Sequence, residues 1–264
     1  MSYSSPLNGV SRVLTSDLVI YSCPFLRAGR VYFGARTSFI TVDRTEKEMS
    51  LLIYAPVPWG TECQQVLNEI SEREKRAVNV KYIVAPDVEH YMGVVGWKTQ
   101  FSDASIITVE GVAEKLTKNA TESIEIDYEF VADKPYPEFP QELTRIFQWQ
   151  YVPGHHNKEI ALLHKPSKTL IVADLLFNGP AYEQYEESGI NPTSGVFSKV
   201  MKYMYPDSCL QLMALPKIMP IAKSHKDIKA IMGWDFDRAI PCHGDVIETS
   251  AKEKLSKLFD AYLK

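Results

Sequence analysis

The sequence predicts an α/β protein, and three observations lead to this prediction. The first half of the chain contains short apolar or alternating segments separated by turns, a pattern typical of antiparallel strands. A strand–helix–strand unit follows at residues 51–84. A β-hairpin at residues 160–172, and then a short strand with a C-terminal helix, complete the pattern.

The first half is predicted to contain four strands, a helix and a fifth strand. Thr61 is placed to cap the helix, with Glu62 in its first turn. The strand at residues 78–84 ends in a polar loop, APDVEHYM. Open α/β sheets bind ligands at the carboxyl ends of their strands, so this loop is a candidate site. The four earlier strands are expected at residues 18–21, 31–33, 38–42 and 51–54.

The second half is organised around the hairpin, whose apolar segments flank a turn that contains Pro166. Because a hairpin brings its ends together, His155 before the first strand and Asp174 after the second are expected to lie close in space. His164, near the turn, is expected on the surface. The remaining expectations are strand-like sequence at residues 143–151, a polar lid-like loop at 179–198, helical spacing at 200–205 and 218–232, a strand at 238–241 and an amphipathic helix at 250–263.

Composition limits the classes of function. The chain of 264 residues has a formal net charge of −4 and scattered basic residues, so no nucleic-acid partner is expected. No apolar run approaches the length of a membrane span and no secretory leader is visible, which gives the expectation of a cytoplasmic protein without a membrane partner. The cysteines form no C-x-x-C pair, which fits a reducing compartment. Residues 1–264 are expected to form a single domain, and an N-x-T sequon at residues 119–121 is expected to be a chance occurrence.

Three histidines and one aspartate lie next to predicted strands and could together bind a metal. His90 and His243 each follow a strand, while His155 and Asp174 lie at the two ends of the hairpin. Three imidazoles and a carboxylate suit zinc, iron or manganese. The spacing alone is a weak indication, because a chain with six histidines offers many such combinations.

Residues beside these candidate ligands suggest further roles. Asp87 and Glu89 are candidate general bases, and Tyr91 is a candidate donor to a developing oxyanion, although packing is its simpler role. Cys242 is expected to be a small buried residue. The sequence contains no G-x-S-x-G, P-loop or G-x-G-x-x-G motif, so serine hydrolases, nucleotide hydrolases and Rossmann dehydrogenases lack their usual support.

These motifs resemble those of the metallo-β-lactamase-fold superfamily. PGHHNKEIALLHKPSKTLIVADLLFN, at residues 153–178, resembles its PGH turn and a strand ending in aspartate, and IPCHGD, at residues 240–245, resembles its final His-Gly motif. KYIVAPDVEHYMG, at residues 81–93, falls where the H-x-H-x-D-H-x-G motif belongs. Nearly the whole chain, including LLIYAPVPWGTE, is similar to a divergent branch, the DUF4336-like proteins. The resemblance implies an αββα four-layer sandwich, with two mixed sheets face to face and helices outside.

The resemblance is incomplete in the loop. If Gly93 matches the glycine of the motif, the first two histidines fall on Pro86 and Val88, the aspartate falls on His90 and the last histidine falls on Tyr91. The binuclear site of the superfamily therefore cannot be complete.

What carries over is His155, Asp174 and His243, with His90 as a substitute ligand. The resemblance thus implies one metal, zinc with iron or manganese as alternatives, in a hydrolase that acts on an ester, thioester, lactone or amide of a small molecule. A non-catalytic relative that binds a small molecule or a protein is the alternative, and an iron site with redox chemistry is a third. The sequence does not predict an oligomeric state.

Overall fold

The computed structural model describes residues 2–119, 124–195 and 197–264, so the sequon at residues 119–121 lies mostly outside the described residues. The strands are β1 (Ser2–Tyr3), β2 (Val10–Thr15), β3 (Leu18–Cys23), β4 (Phe25–Arg27), β5 (Val31–Tyr32), β6 (Ala35–Arg44), β7 (Glu48–Tyr54), β8 (Ala77–Val84), β9 (Ser105–Val109), β10 (Tyr128–Phe130), β11 (Phe147–Val152), β12 (Glu159–His164), β13 (Thr169–Asn178) and β14 (Arg238–Gly244). The helices are α1 (Thr61–Glu74), α2 (Val94–Gln100), α3 (Val112–Asn119), α4 (Gln141–Ile146), α5 (Tyr182–Tyr185), α6 (Cys209–Ile218), α7 (Ile221–Gly233), α8 (Ala251–Leu258) and α9 (Asp260–Leu263). A 3₁₀ helix spans Ser198–Tyr203.

Seven strands form a mixed sheet in the order β10-β9-β8-β7-β6-β3-β2. Strands β2, β3, β6 and β7 are antiparallel neighbours, as a meander requires. From β7 to β10 the neighbours are parallel, because α1, α2 and α3 return the chain across the sheet between successive strands. The loop that follows β8 therefore leaves the sheet at the carboxyl edge of its parallel strands.

Four strands form a second mixed sheet in the order β11-β12-β13-β14. Strands β12 and β13 form the predicted antiparallel hairpin, in which His164 pairs with Thr169. Strand β14 lies parallel to β13 and places His243 beside Phe177. The register of this pair shifts after Val172, so that residues 173–176 of β13 bulge away from regular pairing.

Side-chain alternation in β12 shows how the layers stack. Ile160 and Leu162 belong to the core shared with the larger sheet, whereas Ala161 and Leu163 pack in a second core with α6, α7 and α8. The hydroxyl of Tyr54, on β7, donates to the carbonyl of Ile160 at 2.8 Å, which ties the two sheets together. With α1 and α2 packed on the larger sheet, the order helix, sheet, sheet, helix confirms the predicted αββα sandwich.

A third, small sheet joins β1, β4 and β5. Tyr3 pairs with Phe25 across β1 and β4, and their rings lie 4.8 Å apart. The hydroxyl of Tyr185, on α5, donates to the carbonyl of Phe25 at 2.7 Å. The ring of Phe25 also lies 6.3 Å from that of His243, so this small sheet covers the end of β14.

Some local expectations are wrong. Thr61 is the first residue of α1 and Gly60 is its N-cap, and no side chain among the described residues caps that end. His164 is 1% exposed and not on the surface, because β11 lies alongside it and the Phe147 ring packs 5.7 Å away. Part of the strand expected at residues 143–151 is the helix α4, and α6 was not predicted. No helix in the described part of the chain is long and apolar enough to cross a membrane.

Candidate metal centre

The loop after β8 is built around the carboxylate of Asp87, which is fully buried. One oxygen, Oδ1, accepts the backbone N–H groups of Glu89 at 2.7 Å and His90 at 2.8 Å, which closes a tight turn. The other oxygen, Oδ2, lies 2.8 Å from Nδ1 of His90. A carboxylate bound to one ring nitrogen fixes the orientation of the imidazole, so the other nitrogen, Nε2, is held toward the interior of the site.

The bulge in β13 is built around a second buried carboxylate, that of Glu159. Its two oxygens accept the backbone N–H groups of Ala173, Asp174 and Leu175 at 2.6–2.8 Å. These amide groups lie in the bulge, so the carboxylate replaces sheet partners that buried N–H groups need. Burial and the nearby Asp87 and Asp174 raise the pKa of Glu159, while the backbone N–H groups oppose the rise.

Asp174 is directed into the site by this bulge. Its Oδ2 accepts a hydrogen bond from the amide of Asn157 at 2.5 Å. Its Oδ1 lies 3.3 Å from Nε2 of His243 but has no hydrogen bond within the described residues, although it is buried. A buried carboxylate oxygen needs a donor or a cation, so Oδ1 is available as a ligand.

His243, at the end of β14, is held through its Nδ1 atom, which leaves Nε2 facing the site. Its Nδ1 lies 2.7 Å from the carbonyl oxygen of Gly34, which only accepts, so Nδ1 carries the proton and Nε2 keeps its lone pair. Gly34 has a φ of +72°, and a Cβ there would lie 2.1 Å from Gln184, so glycine is needed to present this carbonyl. The ring packs between Phe33 and Phe177, at 5.2 and 5.5 Å.

His90, Asp174 and His243 together form the candidate metal centre. Their ligand atoms lie within 4.8 Å of one another. The Nε2 atoms of His90 and His243 are 3.1 Å apart, and Nε2 of His243 is 3.3 Å from Asp174. A tetrahedral zinc ion with ligand distances near 2.0–2.1 Å has ligand–ligand edges of about 3.3 Å, so both measured separations fit. The two Nε2 atoms need either a proton on His90 or a shared cation between them.

His155 lies beside this cluster but is not one of the three residues that it brings together. Its Nδ1 accepts the backbone N–H of Asn157 at 3.2 Å. In the neutral imidazole the proton is then on Nε2, which makes that nitrogen a donor and not a metal ligand. Nε2 is buried and has no hydrogen-bond partner within residues 2–119, 124–195 and 197–264.

The ionisation of the cluster follows from burial opposed by neighbouring charges. Burial lowers the pKa of His90, but Asp87 and Asp174 outweigh it and raise that pKa to about 10. Burial would raise the pKa of Asp174, yet the contact with His243 and the charge of His90 bring it well below its usual range. Burial lowers the pKa of His155, and Asp174 only partly opposes this.

The other predicted site residues have different surroundings. Asp87 fits an orienting role better than that of a general base, because its oxygens are occupied by the turn and by His90. Glu89 lies at the edge of the site, with its carboxylate 3.2 Å from Nζ of Lys115. Tyr91 is half-buried against the main core, with the same Nζ 5.2 Å from its ring centre. Burial raises the pKa of Cys242 well above its usual value, so this residue stays a buried thiol, as expected.

A small cavity lies over the centre. Its lining includes Glu89, His90 and His243, together with Tyr3, Phe25 and Arg27 of the small sheet. Its volume is ≈ 20 Å³, which is room for about one water molecule.

Asn157, Glu159 and Gly34 were missed by the sequence analysis. Glu159 had one usable signal, since an acidic residue at the start of an apolar strand is expected to be paired or functional. Asn157 and Gly34 carried none, because each acts on a residue that is distant in sequence.

Comparison with known structures identifies the fold. The metallo-β-lactamase DIM-1 matches with a TM-score of 0.57 and 10% identity, over 96% of this chain and 97% of that one. The metallo-β-lactamase from Hirschia baltica matches with a TM-score of 0.55 and 9% identity, over 96% and 97%. The metallo-β-lactamase from Pontibacter korlensis matches with a TM-score of 0.50 and 18% identity, over 95% and 98%. At these identities the likeness shows the fold alone, which is that of the metallo-β-lactamases.

The sequence itself matches one family. No curated protein matches the chain. The family described as "Domain of unknown function (DUF4336)" matches residues 31–185. Because this match covers more than half of the chain, the protein belongs to the DUF4336 family.

Proposed function

We propose that this protein is a metal-dependent hydrolase of an ester, thioester, lactone or amide of a small molecule. The observation that carries the proposal is the set of three donor atoms from His90, Asp174 and His243, two pairs of which lie at tetrahedral ligand separations. Three protein ligands leave a fourth position open, as a catalytic site requires. Zinc suits this set best, and iron and manganese are the alternatives.

A divalent metal held here supplies an acidified water and polarises a carbonyl group. The chain supplies the orientation of the ligands, since each of the three is fixed by a partner of its own. Asp87 fixes His90, the carbonyl of Gly34 fixes His243, and Asn157 fixes Asp174. Such partners set the tautomer of the imidazoles and hold the ligands in place.

Two further residues act on the substrate in this proposal. Glu89 lines the cavity and is the candidate general base, in place of the fully buried Asp87. The buried Nε2–H of His155 has no partner among the described residues, and His155 is not among the residues that line the cavity. In this proposal it donates to a substrate oxygen that gains negative charge once the small sheet moves and opens the site. His155 was predicted to be a metal ligand, and here it acts as a hydrogen-bond donor instead. Tyr91 has no role in the reaction here.

A non-catalytic binding protein is the second candidate, and the size of the cavity favours it. A volume of ≈ 20 Å³ does not admit a substrate unless the small sheet moves. A proton on His90 would also satisfy the contact between His90 and His243 without a metal.

Metal analysis tests the proposal. The protein reconstituted with zinc should hold one equivalent, and His243→Ala should weaken zinc binding by at least about 100-fold, because loss of a residue that only orients a ligand already costs about 10–100-fold. His155→Ala should retain the zinc and lose turnover of an activated ester panel. If the wild-type protein takes up no zinc, iron or manganese, the hydrolase proposal is wrong and the binding protein remains.

A further inference from the structure

Arg27 contributes a positive charge to the cavity over the candidate metal centre. It is the last residue of β4 and lines the cavity together with Glu89, His90 and His243. Its guanidinium carbon lies 5.5 Å from the centre of the Phe33 ring, and that ring packs edge-on against His243 at 5.2 Å. Phe33 thus links the position of the charge to the position of a candidate ligand.

Among the described residues, the guanidinium of Arg27 has no acidic partner. Within residues 2–119, 124–195 and 197–264 it makes neither an ion pair nor a side-chain hydrogen bond, and its contact with Phe33 uses only a face of the group. Arg36 lines the same cavity but differs, because its donors are taken by Ser22, the carbonyls of Pro241 and Gly244, and Glu183. Arg36 is therefore structural, and the donors of Arg27 remain available to a ligand.

A guanidinium presents a planar pair of N–H groups that matches the two oxygens of a carboxylate or phosphate. Half-buried in a narrow cavity, such a group is less screened than a cation on an open surface. We propose that the substrate, which enters when the small sheet moves, carries an anionic oxygen group, a carboxylate or a phosphate, which Arg27 binds while the scissile carbonyl lies at the candidate metal centre. This inference rests on the proposed function for the reaction, but not for the binding of the anion.

The matched control is Arg30. It lies on the same β4–β5 turn, is exposed, and places its guanidinium carbon 5.5 Å from the Phe197 ring, away from the cavity lining. Arg30→Gln removes the same charge from the same hairpin without changing the cavity.

Two esters of equal length form the first test. They are the para-nitrophenyl hemiadipate, which ends in a carboxylate, and the neutral para-nitrophenyl hexanoate. In the zinc-loaded protein, Arg27→Gln should lower kcat/KM for the hemiadipate by about 10- to 100-fold and for the hexanoate by less than about threefold. Arg27→Lys should lie between the wild type and Arg27→Gln, and Arg30→Gln should resemble the wild type. Equal losses on both esters would overturn the inference.

Calorimetry with non-reacting ligands separates this inference from the hydrolase proposal. Adipate and inorganic phosphate should bind the zinc-loaded protein, and the neutral adipamide should not. Arg27→Gln should weaken the binding of both anions by about 10-fold or more. The anion that binds more tightly identifies whether the anionic group of the substrate is a carboxylate or a phosphate. If no ester is turned over but adipate or phosphate binds through Arg27, the hydrolase proposal fails and this inference stands. If neither anion binds, or both bind Arg27→Gln as tightly as the wild type, this inference is overturned.

Discussion

The loop that carries His90 and the hairpin that carries Asp174 use the same device with different consequences. In each, a fully buried carboxylate accepts hydrogen bonds from several backbone N–H groups. Asp87 accepts two of them and also fixes the ring of His90, whereas Glu159 accepts three and touches no candidate ligand side chain. The difference indicates that the loop tunes a ligand, while the hairpin provides stability and places Asp174 through the backbone.

The two regions also differ in how well their motifs match the superfamily. The hairpin keeps the PGH turn and the aspartate, yet its His155 is outside the cluster of three. The loop does not contain the H-x-H-x-D-H pattern, yet its His90 is inside that cluster. Whether a histidine is a candidate ligand thus depends on the partner of its Nδ1 atom. Nδ1 of His90 contacts an acceptor, whereas Nδ1 of His155 contacts a donor.

Replacement of Glu159 gives the largest expected effect. Glu159→Ala leaves the N–H groups of residues 173–175 buried without their acceptor, so the free energy of unfolding should fall by about 3–5 kcal/mol. Urea denaturation followed by circular dichroism measures this change.

Glu187→Ala, at an exposed glutamate, is the control and should change stability by less than about 0.5 kcal/mol. Should Glu159→Ala lose less than about 1 kcal/mol, water or a local rearrangement replaces the carboxylate, and the hairpin is not the stability element.

His164, at the turn of the hairpin formed by β12 and β13, should make the stability of the protein depend on pH. Burial lowers the pKa of His164 from 6.5 to about 4, and Asp17 only partly opposes this. Between these two values the unfolded chain binds a proton that the folded protein does not. Stability is therefore complete above pH 6.5 and falls by about 2–3 kcal/mol as the pH drops toward 4.

His164→Gln should remove this part of the pH dependence, as measured by urea denaturation at several pH values in that range. His156→Gln, at an exposed histidine, is the matched control and should keep the wild-type slope. Equal slopes for the wild type and His164→Gln would show that other groups cause the pH dependence.

The α/β class and the hairpin were predictable from local patterns, but parts of the site were not. The αββα layers were predicted from the resemblance of the motifs to those of the metallo-β-lactamase-fold superfamily, because local patterns only allow this arrangement. The bulge at residues 173–176 is invisible in the sequence, because β13 is buried along nearly its whole length and its residues show no period of two that a bulge would interrupt. Asp87 and Glu89 look equivalent beside His90, and only burial separates an orienting carboxylate from one at the cavity. Arg27 reaches the site through the pairing of the small sheet, which no local pattern specifies.

Replacement of Asp87 gives the smallest of these effects in free energy, and it acts on the metal affinity. In Asp87→Asn the amide oxygen still accepts the N–H groups of the turn, but the amide nitrogen cannot accept from Nδ1 of His90. The zinc affinity should fall by about 10- to 100-fold. Competition with a chromophoric chelator measures the affinity, and Asp103→Asn, at an exposed aspartate, is the control. An affinity within about threefold of the wild type would mean that Asp87 does not tune His90, and both buried carboxylates would then serve the backbone alone.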